Sequence, residues 1–294
     1  MEGHDMTVSQ AEALRRKIDP ARPAIAMAAH NPLAAKLAID AGFDAVWGSG
    51  FELSASYAVP DANILSMDTH LAMMRAIGEA HVGPVIADLD TGFGNAVNVA
   101  YVVPRYIAAG VAAVVIEDKT FPKDSSLRAD GRQELVRVAE FQGKIEAAKA
   151  AGPALVIART EALIAGLGEE EALRRGAAYA EAGADALLIH SKQKTPGQIV
   201  SFCHAWPGTV PLAIVPTSYP QLSFADVAAL GKVGLIICGN HAIRAAVAAM
   251  RQVFRQILDE GGIAGVERQI ASVADIFALQ GDGAMRGIER TYLR

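Results

Sequence analysis

The sequence predicts an α/β fold, a (β/α)8 TIM barrel carrying extra helices at its C-terminal end, and three observations lead there. The first is a repeated turn. Ala41-Gly42-Phe43-Asp44-Ala45-Val46 is echoed by Ala109-Gly110-Val111-Ala112-Ala113-Val114 and by Ala182-Gly183-Ala184-Asp185-Ala186-Leu187. Each copy follows a helix-like stretch and precedes a short apolar run, and its glycine suits the left-handed position that ends a helix. The second is the set of eight apolar runs, at 24–28, 45–47, 85–87, 114–116, 155–158, 186–189, 212–215 and 235–237. Runs of this length read as strands buried on both faces, as in parallel sheets. The third is what lies between them: amphipathic segments such as 69–80 and 134–150. Eight βα units in a chain of 294 residues favour a closed barrel over an open doubly wound sheet. No Gly-x-Gly-x-x-Gly follows the first run, which weakens a dinucleotide-binding reading.

Composition narrows the function classes. Hydrophobic residues make up 52%, enough for a large core, and the net charge of −5 argues against a nucleic-acid partner. A small anionic substrate stays compatible, because local charge in a cleft outweighs net charge. The two cysteines, Cys203 and Cys238, lie far apart in apolar contexts and read as buried thiols in a reducing compartment. Residues 1–10 lack the apolar core of a signal peptide, and no apolar stretch reaches the length of a membrane span. The expectation is a cytoplasmic protein with no membrane partner.

In a barrel of this kind the active site lies at the C-terminal ends of the strands, so the residues that end each run matter most. The second run ends in Trp47-Gly48-Ser49-Gly50-Phe51, and the third in Asp88-Leu89-Asp90-Thr91-Gly92-Phe93-Gly94-Asn95. The fourth ends in Glu117-Asp118-Lys119, the fifth in Arg159, the sixth in His190 and the eighth in Gly239-Asn240-His241. Asp88, Asp90 and Glu117 are hard oxygen donors on adjacent strands, with Asp61 available from the loop after the second. One such Asp alone reads as a helix cap, and Asp90-Thr91 suits that role. Three acids on two neighbouring strands favour Mg²⁺, which keeps several waters and takes few carboxylates directly. Mn²⁺ and Co²⁺ are the alternative divalent ions.

The Gly-rich stretch 91–95 is either a phosphate-binding turn or an ordinary tight turn. Ser49-Gly50-Phe51 is likewise an oxyanion site or a plain turn. Arg159 ends a buried strand and needs an anionic partner, which is a substrate phosphonate or carboxylate, or else Glu161. His190 is similarly placed and reads equally as ligand contact or satisfied structural residue, whereas His241 reads as structural. The loop 118–132 is longer and more polar than its counterparts, as lids often are. After the eighth run, 240–259 reads as a long helix, with more helical sequence at 265–279. The whole of 1–294 is therefore read as a single barrel domain, with 240–294 a helical extension suited to packing on another subunit.

Together these motifs resemble the phosphoenolpyruvate mutase/isocitrate lyase superfamily. Trp47-Gly48-Ser49-Gly50, Asp88-x-Asp90-Thr91-Gly92-Phe93-Gly94-Asn95, Glu117-Asp118-Lys119, Phe121-Pro122-Lys123, Arg159, His190-Ser191-Lys192 and Asn240-His241 occur in the right order across almost the whole chain. The resemblance implies a bound Mg²⁺ served by Asp61, Asp88, Asp90 and Glu117, with Asp88 the direct ligand and the others acting mainly through water. It implies that Ser49 and Gly50 hold a keto-acid carboxylate beside Trp47 and Phe51, that Arg159 and His190 meet a phosphonyl group, and that the loop bearing Lys123 is a gate. It also implies a homo-oligomer, a tetramer in which paired subunits exchange a C-terminal helix.

Lyases of the superfamily carry a catalytic Cys in the gating loop, and this loop, Phe121-Pro122-Lys123-Asp124-Ser125-Ser126-Leu127, has none. Mutases carry Lys-x-Asn-Ser there, and here Ser125 replaces the Asn. The resemblance therefore points to the hydrolytic branch, which cleaves the carbon–phosphorus bond of phosphonopyruvate to pyruvate and phosphate. Mg²⁺ would hold the charge developing on the enolate oxygens, Arg159, His190 and Lys123 would steady the phosphoryl group, and Ser125 would leave room for water or orient it. A phosphoryl-shifting isomerase and a lyase or hydrolase of carbon–carbon bonds are the alternatives.

Overall fold

The computed structural model describes residues 9–81, 83–128, 130–208 and 210–294. The stretch read as lacking a signal-peptide core lies outside them as far as residue 8. Eight parallel strands close into a barrel in sequence order. They are β1 (Ala24–Ala29), β2 (Ala45–Gly48), β3 (Val85–Asp88), β4 (Ala113–Glu117), β5 (Leu155–Thr160), β6 (Ala186–Ile189), β7 (Leu212–Ile214) and β8 (Val233–Cys238). Each pairs with the next, and β8 pairs back onto β1 with Ala24 opposite Leu235 and Met27 opposite Cys238. All eight apolar runs are strands.

Side chains alternate across a strand, and here the alternation sorts the core into two buried clusters. One packs Ala45, Trp47, Ile86, Val115, Leu155, Ile157, Leu188, Leu235 and Ile237 together. The other joins the intervening residues, such as Val46, Ala87, Val114, Ile116, Val156 and Leu187, to helix residues such as Met74, Tyr106 and Phe141. The first cluster fills the barrel and the second lies between barrel and helices. Extending the interior set by one step of two along each strand reaches Ser49, Asp88, Glu117, Arg159 and His190. Strand parity thus carries these residues to one mouth.

The helices are α1 (Gln10–Lys17), α2 (Pro32–Asp40), α3 (Gly50–Ser56), α4 (Met67–Ala80), α5 (Ala96–Ala108), α6 (Val138–Ala150), α7 (Gly168–Glu181), α8 (Gly197–Ala205) and α9 (Phe224–Ala229), followed by α10 (His241–Glu260), α11 (Val273–Gln280) and α12 (Asp282–Tyr292). Ser9, Asn31, Ser49, Ser66 and Asn95 cap their helices by accepting from a backbone N–H of the first turn. Gly42, Gly110 and Gly183 have φ of 96, 84 and 98, the left-handed conformation that the repeated turn calls for.

Three expectations need correction. The helix expected over 134–150 begins only at Val138, because Leu135 bridges back to Lys119 and Val136 donates to the Asp118 carbonyl. Asp90-Thr91 caps no helix; Asn95 does, four residues beyond Thr91. The helix expected over 265–279 is confined to α11, and α12 follows it beyond Gly281, whose φ of 80 ends the one helix and opens the other.

The chain forms two compact units, the first ending at Ile243 and the second comprising Arg244–Arg294. Most of α10, with α11 and α12, makes up the second. Neither α11 nor α12 buries a residue, and Phe254, Leu258, Phe277, Ile288 and Leu293 are all more than half exposed. No helix among the described residues is long and apolar enough to cross a membrane.

Candidate active site

The mouth of the barrel holds a small cavity of about 60 Å³, lined from the strand ends and from the loop after β4. Trp47, Ser49 and Phe51 line it from the β2 side, and Asp61 and Asp88 come next. Lys123, Ser125 and Ser126 line it from the loop, and Arg159 and His190 from the ends of β5 and β6, with Arg159 Nη2 donating to Ser126 Oγ at 3.0 Å. Gly50 and Asp90 line a smaller adjoining hollow with Asn63 and His70. Glu117 is buried beneath, directly opposite Arg159 in the β4–β5 register. The structure therefore brings together every predicted site residue. His241 is the exposed first residue of α10.

The acids surround one ammonium. Lys123 Nζ stands 2.5 Å from Asp90 Oδ1 and 3.0 Å from Asp61 Oδ1. Burial alone would lower the Lys123 pKa, but Asp90, Asp61, Glu117 and Asp88 hold it well above its ordinary value. Burial pushes the Asp90 carboxyl up to about 8 against the pull of Lys123, and Asp88, Asp61 and Glu117 add to the rise. Asp88 is raised likewise, by burial first, with Lys123 and Arg159 opposing. Its Oδ2 accepts from Gly50 N at 3.4 Å and its Oδ1 from Asp90 N at 3.3 Å. A Cβ on Gly50 would sit 3.1 Å from Asp90 Oδ1, so glycine there lets the backbone approach the acids closely.

Among the described residues both carboxylate oxygens of Glu117 are buried without a hydrogen bond, and the Arg159 Nε ion pair at 3.3 Å reaches one of them. Uncompensated buried carboxylate oxygens are costly. Four acids served by one lysine and one edge of an arginine leave a deficit of positive charge that a divalent cation fits. Among the described residues no three His, Cys, Asp or Glu side chains close on a single point as a full cage.

Arg159 satisfies both readings made of it. Its Nε donates to Glu161 Oε1 at 2.6 Å, the structural pair, while the residue also lines the cavity. Burial would lower its pKa, but Glu161, Glu117 and Asp88 raise it. His190 Nδ1 lies 2.9 Å from Arg159 Nη2, and its Nε2 is buried with no partner among the described residues. Burial and then the Arg159 charge push the His190 pKa down. Ser49 is both helix cap and cavity wall, accepting from Glu52 N and donating to the Gly239 carbonyl at 3.3 Å.

Three residues of the loop after β4, Lys123, Ser125 and Ser126, are buried at the site. Lys123 N donates to Asn63 Oδ1 at 2.7 Å, and Asn63 Nδ2 donates to Asp90 Oδ2 at 2.8 Å, so Asn63 ties the loop to the acid cluster. Sequence reading missed Asn63, Ser126 and Thr217. Parity from β7 would have found Thr217, which falls two residues beyond the cavity residue Val215. For Asn63 the sequence holds no local signal, because its partners lie far along the chain.

The family profile for phosphoenolpyruvate phosphomutase matches residues 14–258. The phosphonopyruvate hydrolase of Variovorax sp. (strain Pal2) is 66% identical over 286 residues, 96% of this chain and 99% of that protein. The phosphoenolpyruvate phosphomutase of Streptomyces hygroscopicus is 46% identical over 257 residues, covering 86% of this chain and 82% of that one. A crystal structure of a phosphonopyruvate hydrolase in complex with oxalate and Mg²⁺ superposes with a TM-score of 0.92 at 63% identity, covering 97% of this chain and all of that one.

Proposed function

The chain belongs to the phosphoenolpyruvate phosphomutase family, and we infer that it is an Mg²⁺-dependent enzyme hydrolysing the carbon–phosphorus bond of phosphonopyruvate to pyruvate and phosphate. The observation that carries this beyond overall similarity is the covering loop. Its Lys123 and Ser125 line the cavity together with Arg159 and His190, and neither Cys203 nor Cys238 does. A lyase of the kind that needs a loop thiol is thereby disfavoured.

The keto acid lies with its carboxylate at Ser49 and Gly50, against Trp47 and Phe51. Asp88 would hold the cation directly, with Asp61, Asp90 and Glu117 serving it through water. When bound, Mg²⁺ supplies Lewis-acid charge to the keto and carboxylate oxygens of the substrate. The phosphonyl oxygens face Arg159, His190 and Lys123, whose charge and hydrogen bonds steady a departing group that is metaphosphate-like and needs little covalent help. As the P–C bond breaks, its electron pair moves to C3 and the neighbouring carbonyl. A water oxygen bonds phosphorus; one of its hydrogens stays on phosphate and the other ends on C3. Closure of the loop excludes bulk water and admits the reacting one beside Ser125.

The apolar faces of the second unit support a further part of the reading: a homotetramer, a dimer of dimers that exchange C-terminal helices. A cytoplasmic setting fits the two unbridged, buried cysteines. A phosphorus NMR time course with phosphonopyruvate tests the activity. Free phosphate with pyruvate is expected, whereas accumulation of phosphoenolpyruvate would mean an isomerase.

A further inference from the structure

Glu161 has no part in the reaction as written above, yet it is fully buried beside it. Its backbone N–H donates to Asp118 Oδ1 at 2.8 Å, and Asp118 Oδ2 accepts from Tyr179 at 2.7 Å and Arg175 at 3.1 Å, so its base is anchored in the wall of the barrel. Its two oxygens divide the labour. Oε1 accepts from Arg159 Nε at 2.6 Å, while Oε2 accepts from Ser126 Oγ at 2.5 Å and pairs with Lys119 Nζ at 3.1 Å. Ser126 Oγ in turn accepts from Lys119 Nζ at 2.6 Å and from Arg159 Nη2 at 3.0 Å, which uses its one hydrogen and both lone pairs. A single carboxylate therefore fixes the guanidinium and the covering loop together.

The fixed guanidinium decides the state of His190. Arg159 Nη2 is 2.9 Å from His190 Nδ1. A guanidinium only donates, so Nδ1 must accept, and the ring hydrogen sits on Nε2. The other arrangement, Nδ1–H donated to Glu161 Oε1 at 3.3 Å, would set two hydrogens against each other along the shorter contact. Glu161 Oε1 already has its donor in Arg159 Nε. Nε2 is buried without a partner among the described residues, on a side chain that lines the cavity.

We propose that Glu161 is a positioning residue which, through Arg159, fixes His190 as a neutral ring with its hydrogen on Nε2, so that His190 donates a hydrogen bond to the phosphonyl group and is not the base for the attacking water. The proposal rests on the hydrolase reading. His190 keeps its hydrogen throughout, and the hydrogen that leaves water goes to C3 of the product.

The test uses the full chain with ¹⁵N-labelled histidine and long-range ring-nitrogen spectra at neutral pH, the His190 signals being identified by their loss in His190→Gln. One protonated Nε2 and one bare Nδ1, without averaging, are expected. A hydrogen on Nδ1, or a doubly protonated ring, overturns the proposal. In Glu161→Gln the single tautomer should be lost, and kcat should fall by about 10²-fold, the scale of a misplaced catalytic group, with KM changed far less. Glu161→Asp should recover part of both. A wild-type tautomer and kcat in Glu161→Gln would end the positioning role. If that chain does not fold, the wild-type spectrum and Glu161→Asp still decide: a hydrogen on Nδ1 in the former, or unchanged kcat in the latter, counts against it. Conversion of phosphonopyruvate to phosphoenolpyruvate would sink the hydrolase reading and leave the tautomer assignment standing. Release of phosphate by a chain whose ring carries Nδ1–H would do the reverse.

Discussion

Lys123→Met removes the one ammonium at the centre of the acid cluster while keeping much of its bulk. Asp90 and Asp61, with side chains 12% and 11% exposed, lose contacts of 2.5 and 3.0 Å. Breaking a buried ion pair costs roughly 3–5 kcal/mol, because one partner is left charged and unpaired. Slight solvent contact places this case at the lower end, about 3 kcal/mol. The stranded carboxyl can escape part of that cost by taking a proton. Asp90 is already pushed up to about 8 with the lysine present, and without it the value rises further. An acid with a raised folded pKa binds more protons folded than unfolded, so its penalty is absent below the ordinary carboxyl range and grows as pH rises towards 8 and beyond. The growth is at most about 1.4 kcal/mol per pH unit. Wild-type Asp90 already sits near 8, so the two proteins lose stability in parallel below that pH and part only above it; thermal melts in chelator should show a gap that changes little from pH 4 to pH 8 and widens, with the variant the less stable, from pH 8 to pH 10. Added Mg²⁺ replaces the missing charge. At 100-fold above its Kd it contributes about 2.7 kcal/mol, and its affinity should exceed that for wild type because no ammonium competes. A gap that does not widen above pH 8 in chelator, with no larger response to Mg²⁺, would refute the idea that Lys123 neutralises this cluster.

Asp88→Ala should abolish turnover, whereas Asp90→Ala and Glu117→Ala weaken Mg²⁺ binding by less; full wild-type activity in excess chelator would remove the metal from the reaction. Ser125→Asn should slow hydrolysis mainly in kcat, because the contacts to the keto acid remain. Ser125→Ala separates the two roles of that side chain: a loss of about 10²-fold or more means that the hydroxyl orients water, and a mild loss means that it leaves space. Wild-type rates in both variants would take Ser125 out of the mechanism. Protease nicking of 118–132 should be suppressed by oxalate, a pyruvate-like inhibitor, and equal cutting with and without it would count against a gate.

Much of this architecture was legible in local pattern. The Ala-Gly turns and apolar runs gave all eight strands because a strand buried on both faces has to be apolar throughout. Trp47, Asp88, Glu117, Arg159 and His190 were legible because position at a strand end is itself a spatial coordinate in a barrel. What escaped depends on closure between distant segments. Asn63 acquires meaning only when Lys123, 60 residues on, folds over it. Glu161 read as a rival partner for Arg159, whereas the structure makes it the support that aims Arg159 at the cavity. The start of α6 slipped from 134 to Val138 because the segment before it is held by Asp118 and Lys119, a tertiary constraint that amphipathic periodicity cannot register.

The pairing of β8 with β1 has a consequence for how the chain folds. Seven of the eight strand pairs join neighbours in sequence, each closing a short loop, while the eighth brings Ala24 to Leu235. Loop-closure entropy grows only logarithmically, by about 0.6 kcal/mol per doubling, so this seam costs roughly 2 kcal/mol more than a local pair. It is nonetheless the strand pair of highest sequence separation, and such contacts form late. Until β8 emerges from the ribosome, β1 and β7 remain open edges with unpaired N–H and C=O groups, a template for association with other chains. The growing chain is therefore most exposed to aggregation in the interval between synthesis of β7 and closure by β8, and a chaperone that shields strand edges would act on it there.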